Sequence, residues 1–205
     1  MKLLIATGNS HKLREIRAIL AEPGLEIVSP REWPHPLPPI EEDGDTFEAN
    51  AIKKAMLTAL AAGLWVLADD SGLEVEALDN APGVRSARYA GEPSDDANNN
   101  ALLLKNLAPA PNRRARFRCA IALASPSGRC QVVDGTCPGS LLADPRGARG
   151  FGYDPLFVPD GDTRTFAEMP DAEKNAISHR AKALQKARET WGPLLASEAS
   201  DWPRR

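Results

Sequence analysis

The sequence has no run of about 18 uninterrupted apolar residues, the length a membrane-spanning helix needs. Its opening apolar stretch, Met1-Lys2-Leu3-Leu4-Ile5-Ala6, meets polar Thr7-Gly8-Asn9 too soon for a secretory signal. Cysteine is scarce. Cys119, Cys130 and Cys137 cannot all pair within one chain and lack metal-ligand spacing, which points to a reducing cytoplasm. A basic excess is also missing: 25 Lys and Arg stand against 28 Asp and Glu, a net charge of −3. Proteins that bind nucleic acid in bulk gain affinity by neutralising phosphates, so that partner is disfavoured, whereas a small phosphorylated ligand needs only a local gathering of cations. What is present is 42% apolar and 26% charged residues over 205 positions, enough for one well-buried domain and too apolar for a disordered chain.

Apolar periodicity predicts a mixed order of strands and helices, hence an α/β or mixed-sheet domain with no internal repeat and no long linker. Lys2–Ala6 reads as a strand, followed by a helix through about Ala21 that ends at Pro23-Gly24. Leu25–Val28 is a second strand. The prolines at 34, 36, 38 and 39 exclude helix from the stretch after it. A helix over Phe47–Ala62 follows, with Thr46 as N-cap, Gly63 as stop, and Ile52, Ala55, Met56, Ala59 and Leu60 facing the core. Trp65–Ala68 is expected to be a strand ending in an acidic turn at Asp69-Asp70-Ser71-Gly72, with Leu73–Ala77 a separate half-buried strand. A helix over Asp95–Leu107, a hairpin of Ala115–Ala124 with Arg129–Thr136, and a final helix from about Ser178 to Trp191 complete the pattern. The domain is assigned to residues 1–192, with a polar tail over 193–205.

Five segments carry possible chemistry, each with a plain structural alternative. Thr7-Gly8-Asn9-Ser10-His11-Lys12 joins a strand to a helix N-terminus, where free N–H groups, the helix dipole and Lys12 favour an anion; an ordinary capped turn fits equally. Glu41 or Glu42 together with Asp69-Asp70 offers paired carboxylates of the sort magnesium shares with substrate phosphates, against a solvated acidic turn. Asn50 and Lys54, four apart, share one helix face, which a wet surface would also explain. Gly150-Phe151-Gly152-Tyr153-Asp154-Pro155 brackets aromatics with glycine, leaving a ring face open to a base, or else fills core. In Lys174-Asn175-Ala176-Ile177-Ser178-His179-Arg180, Lys174 and His179 would point about 140° apart on a continuous helix. If Lys174, His179 and Arg180 all serve one ligand, the helix must break near Ser178, and that break is predicted; a solvated helix start is the plain alternative for His179 and Arg180. Arg114, Arg116 and Arg118 alternate on one strand face opposite Phe117 and Cys119, as a solvated sheet face or a subunit contact would require.

Taken in order along the chain, these segments resemble the inosine/xanthosine triphosphate pyrophosphatases. The resemblance rests on Thr7-Gly8-Asn9 with Lys12, Glu41-Glu42-x-Gly44-x-Thr46-Phe47 with Asn50 and Lys54, and Asp69-Asp70-Ser71-Gly72-Leu73. Ala81-Pro82-Gly83 with Ser86-Ala87-Arg88-Tyr89, Gly150–Pro155 and Ile177-Ser178-His179-Arg180 complete it, over about residues 2–190. Ala49 stands where the family usually has glutamate, which removes the glutamate half of a capping box.

The resemblance implies a single elongated, two-lobed α/β domain around a long mixed β-sheet, with a ligand cleft between lobes, forming a homodimer. It implies Mg²⁺-dependent hydrolysis of ITP, dITP and XTP to monophosphate and pyrophosphate. Asp70 would be the general base and, with Glu41, would hold the metal. Thr7, Gly8, Asn9, Ser10, His11, Lys12, Lys54, Ser71 and Lys174 would hold phosphate or sugar; Phe151, Gly152, Tyr153, Asp154, His179 and Arg180 would hold the base. A pyrophosphatase for other modified nucleotides and a non-catalytic nucleotide-binding module are the alternatives.

Overall fold

The computed structural model describes residues 1–196 and Trp202. Six strands form one sheet in the order β2-β1-β3-β4-β5-β6. The strands are β1 (Lys2–Ile5), β2 (Glu26–Val28), β3 (Trp65–Val75), β4 (Arg114–Ala124), β5 (Cys130–Leu141) and β6 (Phe157–Pro159). Among the described residues five α-helices accompany them: α1 (Ser10–Leu20), α2 (Phe47–Ala62), α3 (Asp96–Leu107), α4 (Asp171–Ile177) and α5 (His179–Ala196). β1 runs parallel to both β2 and β3, and β6 runs antiparallel to β5, so the sheet is mixed as expected for α/β.

The chain separates into two compact units. The first comprises Met1–Asp70, Cys119–Gly135 and the chain from Ala183 onward. Leu3, Ile5 and Leu67 from its strands pack with Ile16 and Leu20 of α1, Ile121 and Leu123 of β4, and Leu184 and Trp191 of α5. The second comprises Ser71–Arg118 and Thr136–Lys182. Its core gathers Leu73, Leu103, Leu107, Phe117, Tyr153, Phe157 and Phe166. Three of its rings, Phe117, Phe157 and Phe166, lie with centroids 4.7–6.0 Å apart, in reach of favourable edge and offset contacts.

Helix α2 has the expected bounds. Thr46 Oγ1 accepts from Ala49 N at 3.1 Å, so the cap forms without the family's glutamate, and Gly63 closes the helix by donating to the Ala59 carbonyl. Its buried face is different from the expected one. Leu60 is 56% exposed and Ile52 and Met56 are only partly covered, whereas Phe47, Ala51, Ala55, Thr58 and Ala59 are buried. Small residues let the helix approach closely, and that side also carries Asn50 and Lys54 inward. The wet-surface alternative for that pair does not hold, since both are buried.

The acidic turn is also overturned. β3 runs unbroken through Asp69-Asp70-Ser71-Gly72 as one 11-residue strand, buried at every position except Ser71. Gly72 makes this possible, because a Cβ there would overlap Ser86 Oγ and the Gly83 carbonyl. Ser86 Oγ in turn accepts from Leu73 N at 2.9 Å and donates to the Gly83 carbonyl at 2.6 Å.

The C-terminal expectations divide. The helix breaks at Ser178, whose backbone is extended (φ −65°, ψ 159°) and whose Oγ accepts from Ala181 N at 3.1 Å. Ser178 therefore caps α5, as the wheel geometry requires. The helix then passes through Gly192 and Pro193 to Ala196, so the expected tail starts too early. The rest of that tail, except Trp202, falls outside the described residues.

The close approach at Gly72 gives a test. Gly72→Ala adds one methyl group against a backbone carbonyl and a hydroxyl already engaged. It should lower stability by about 1–3 kcal/mol, the usual cost of overpacking, measured from the shift in urea midpoint at unchanged slope.

Candidate functional site

In the first unit, β3 buries two carboxylates in succession. Side chains alternate along a strand, so Asp69 and Asp70 face opposite sides and have different nearest cations. The Asp69 side chain is completely buried and sits 3.1 Å from Lys12 Nζ, reached from the first turn of α1. Asp70 accepts from Asn50 Nδ2 at 3.0 Å and lies 3.9 Å from Lys54 Nζ. Lys54 is shared: its ammonium also donates to the Asp69 carbonyl at 2.8 Å and pairs with Glu42 at 3.0 Å. Asn50 is equally central. Its Oδ1 accepts from Gly44 N at 2.8 Å, tying the acidic loop to the carboxylate of Asp70.

Burial pushes the Asp70 carboxyl up from its ordinary 3.8 to about 6, with Glu42 adding to the rise. Lys54, Lys12 and the Asn50 amide oppose it without cancelling it. The sign for stability follows. A carboxyl whose folded pKa exceeds its unfolded value favours the folded state when protonated, so this contribution is complete below about pH 4 and is lost as pH rises through about 6.

The phosphate-loop candidate is a capped helix start. Asn9 Oδ1 accepts from His11 N at 2.9 Å and Lys12 N at 3.2 Å, and Thr7 Oγ1 accepts from Asn9 N at 3.2 Å. His11 Nδ1 is 3.0 Å from an Arg14 nitrogen. Gly8, Asn9 and Ser10 are exposed, and a Cβ at Gly8 would meet nothing. Glu41 is exposed on the loop preceding α2, while its neighbour Glu42 is the one against Lys54. No cluster of three or more metal-ligating side chains occurs among the described residues.

In the second unit the remaining candidates cluster around Phe151. Lys174 Nζ lies 2.6 Å from Asp154 Oδ2, with both side chains about 5% exposed or less, and it sits 4.9 Å from the Phe151 ring centre. Asp154 Oδ2 also accepts from Phe151 N at 3.0 Å, closing the turn upon itself. Arg180 is 1% exposed, donates to Ser71 Oγ at 2.7 Å and lies 5.8 Å from the same ring. His179 is buried and stacks on Phe117 with ring centres 4.6 Å apart and planes 13° apart. Tyr153 is core: burial pushes its hydroxyl well above the ordinary value, and it donates to the Ser86 carbonyl at 2.8 Å.

The three arginines on β4 take internal partners. Arg114 makes a bidentate pair with Asp160 at 2.7 and 2.8 Å, and Arg116 and Arg118 converge on buried Glu74 at 2.6 and 3.3 Å. Sequence reasoning missed Asp96 and Asn100, which hydrogen-bond Gly152, and left Glu42 as an undecided partner of Glu41. The run Asn98-Asn99-Asn100 inside a helix was the available signal, since asparagine is a poor helix interior residue without a bond to make.

These features define an α/β protein whose sheet carries a buried, lysine-compensated carboxylate pair on one long strand. The sequence profile of the Ham1 family matches residues 3–190, and the chain belongs to that family. It is 52% identical over 191 residues to the dITP/XTP pyrophosphatase of Desulforamulus reducens, covering 92% of this chain and 94% of the relative. It is 50% identical over 193 residues to the dITP/XTP pyrophosphatase of Geobacter sulfurreducens, covering 93% and 96%. Among solved structures it is similar to a HAM1 protein from Coxiella burnetii, with TM-score 0.85 and 40% identity over 94% of this chain and 99% of that one. A nucleoside-triphosphatase / dITP/XTP pyrophosphatase from Mycobacterium abscessus matches with TM-score 0.75 and 46% identity over 91% and 98%. No described helix is long and apolar enough to cross a membrane.

The electrostatics of Asp70 give opposite signs for two substitutions. Removing the opposing cation in Lys54→Met should raise the Asp70 pKa above about 6, and removing the neighbouring carboxylate in Glu42→Gln should lower it. Carboxyl-carbon NMR titration of the metal-free protein reads both; shifts of the same sign would contradict the cluster.

Proposed function

We propose that this protein hydrolyses the non-standard purine nucleoside triphosphates ITP, dITP and XTP, releasing the monophosphate and pyrophosphate. The observation that carries the reading is Asp70: a buried carboxylate pushed up to about 6, bonded to Asn50, with Lys54 beside it. The names of relatives about 50% identical over nearly the whole chain support the substrate class.

In this reaction a water oxygen bonds to the α-phosphorus, the bond from that phosphorus to the oxygen bridging it to the β-phosphorus breaks, and pyrophosphate leaves. Asp70 orients the water and takes its proton. Lys12 and Lys54 supply positive charge for the phosphate chain, including the charge that develops on the leaving pyrophosphate. The donor set fits magnesium: hard carboxylate oxygens on Asp70 and the 41–42 pair, completed by substrate phosphates rather than by a dense protein cage. Glu41 and Asp70 would hold the ion, while Glu42 keeps Lys54 in register. Bound there, it would neutralise phosphate charge and make a nearby water more acidic.

The second unit's cluster handles the base in this reading. Phe151 offers a ring to stack on, and the Arg180 guanidinium offers donors to the O6 acceptor of hypoxanthine or xanthine. Adenine carries an amino donor at that position, and facing two donors in a buried site is penalised strongly. Ser71 holds Arg180 in place through its hydroxyl. A homodimer and a cytoplasmic location complete the proposal.

Incubation with ITP, XTP, GTP and ATP, with and without Mg²⁺, tests it. Metal-dependent release of pyrophosphate confined to ITP and XTP is the expected result, and release of orthophosphate alone would overturn the cleavage position. Asp70→Asn should lose about 10²–10⁴ in turnover while retaining nucleotide binding by calorimetry. Turnover near the unaltered level in that variant would remove Asp70 from the role of base.

A further inference from the structure

Within the second unit, α3 holds the turn that carries Phe151 by both polar groups of a single residue. Gly152 N–H donates to Asp96 Oδ2 at 2.6 Å, and the Gly152 carbonyl accepts from Asn100 Nδ2 at 2.9 Å. Asp96 and Asn100 are four residues apart and so lie one above the other on the helix face. Gly152 has φ +61°, a conformation costly for other residues, which sets the direction in which its N–H and C=O point. Asn99, one position away, holds a different loop, with its Oδ1 accepting from Ala90 N at 2.7 Å and its Nδ2 donating to the Ala87 carbonyl at 3.0 Å.

Two observations separate this clamp from ordinary fold maintenance. The turn already has anchors of its own: Asp154 bonds to Phe151 N, and the Tyr153 hydroxyl bonds to the Ser86 carbonyl. In addition, Asn100 Oδ1 is buried without a hydrogen-bond donor among the described residues, a penalty normally avoided in a residue kept for stability alone. The amide is spent on the Gly152 carbonyl.

We propose that Asp96 and Asn100 are positioning residues for base recognition. By fixing the Gly152 peptide they set the plane of the adjacent Phe151 ring, against which Lys174 and Arg180 lie at 4.9 and 5.8 Å. The inference rests on the reading of this turn as the element that takes the purine. Neither residue needs to touch substrate.

Asp96→Ala and Asn100→Ala should each raise KM for ITP roughly tenfold with kcat changed less than about twofold, the signature of lost uniform binding. Asp96→Asn keeps an acceptor oxygen and should recover most of the loss, with thermal midpoints of all three close to the unaltered protein. Unchanged KM in both alanine variants overturns the proposal, as does a fall in thermal midpoint that accounts for the lost activity. If the unaltered protein turns over no purine triphosphate, it is the functional reading that has failed, and amide hydrogen exchange at Phe151 and Gly152 then decides the clamp. Faster exchange in the alanine variants supports it; unchanged exchange removes it.

Discussion

Burying a carboxylate is expensive unless a partner is buried with it, and β3 buries two in adjacent positions. This one constraint recruits much of the first unit. Asp69 faces one side of the sheet and requires Lys12, which fixes the start of α1 beside the strand. Asp70 faces the other and requires Asn50 and Lys54, which dictates that α2 present that face inward. The small residues Ala51, Ala55 and Ala59 are then what allows α2 close enough for a lysine to reach the strand backbone. Sequence positions far apart in the chain are thus coupled through charge, with apolar packing adapted around them.

The local rules carried most of the elements. Thr46 and Gly63 bound α2 at the residues where capping chemistry puts them, and the break at Ser178 follows from wheel geometry once Lys174, His179 and Arg180 are taken to serve one ligand. The failures have a common cause. Asp69-Asp70-Ser71-Gly72 looks like a turn because its composition is polar, and composition contains no information about Lys12 and Lys54 arriving from elsewhere. The same blindness assigned Ile52 and Leu60 to the core and left a wet face open as an alternative for Asn50 and Lys54. Where a polar residue is buried by a tertiary partner, periodicity gives the wrong face.

The candidate site residues were legible at a different level. Individually, Asn50, Lys54 or His179 had an equally good plain explanation; together, in their order and spacing, they marked a family. Asp96 and Asn100 were not legible even so, because what they do is visible only against Gly152, more than fifty residues away. A residue that acts by holding another residue's backbone leaves little trace in composition or period. The arginines at 114, 116 and 118 show the converse, a conspicuous sequence feature absorbed by Asp160 and Glu74.

The register of β1 on β3 ends at the Ile5–Leu67 pair, yet β3 continues for eight more residues. Along that stretch the strand's edge is closed by borrowed groups: Lys54 Nζ on the Asp69 carbonyl, Ser86 Oγ on Leu73 N, and the Ala81 carbonyl on Val75 N. An edge with open N–H and C=O groups is a template on which foreign strands add and aggregates grow. Lys54 and Ser86 thus occupy backbone groups to which an added strand would have to bond. Lys54 joins this contact to its place beside Asp70, so the closing of the strand edge and the charge balance of a buried carboxylate meet in one side chain.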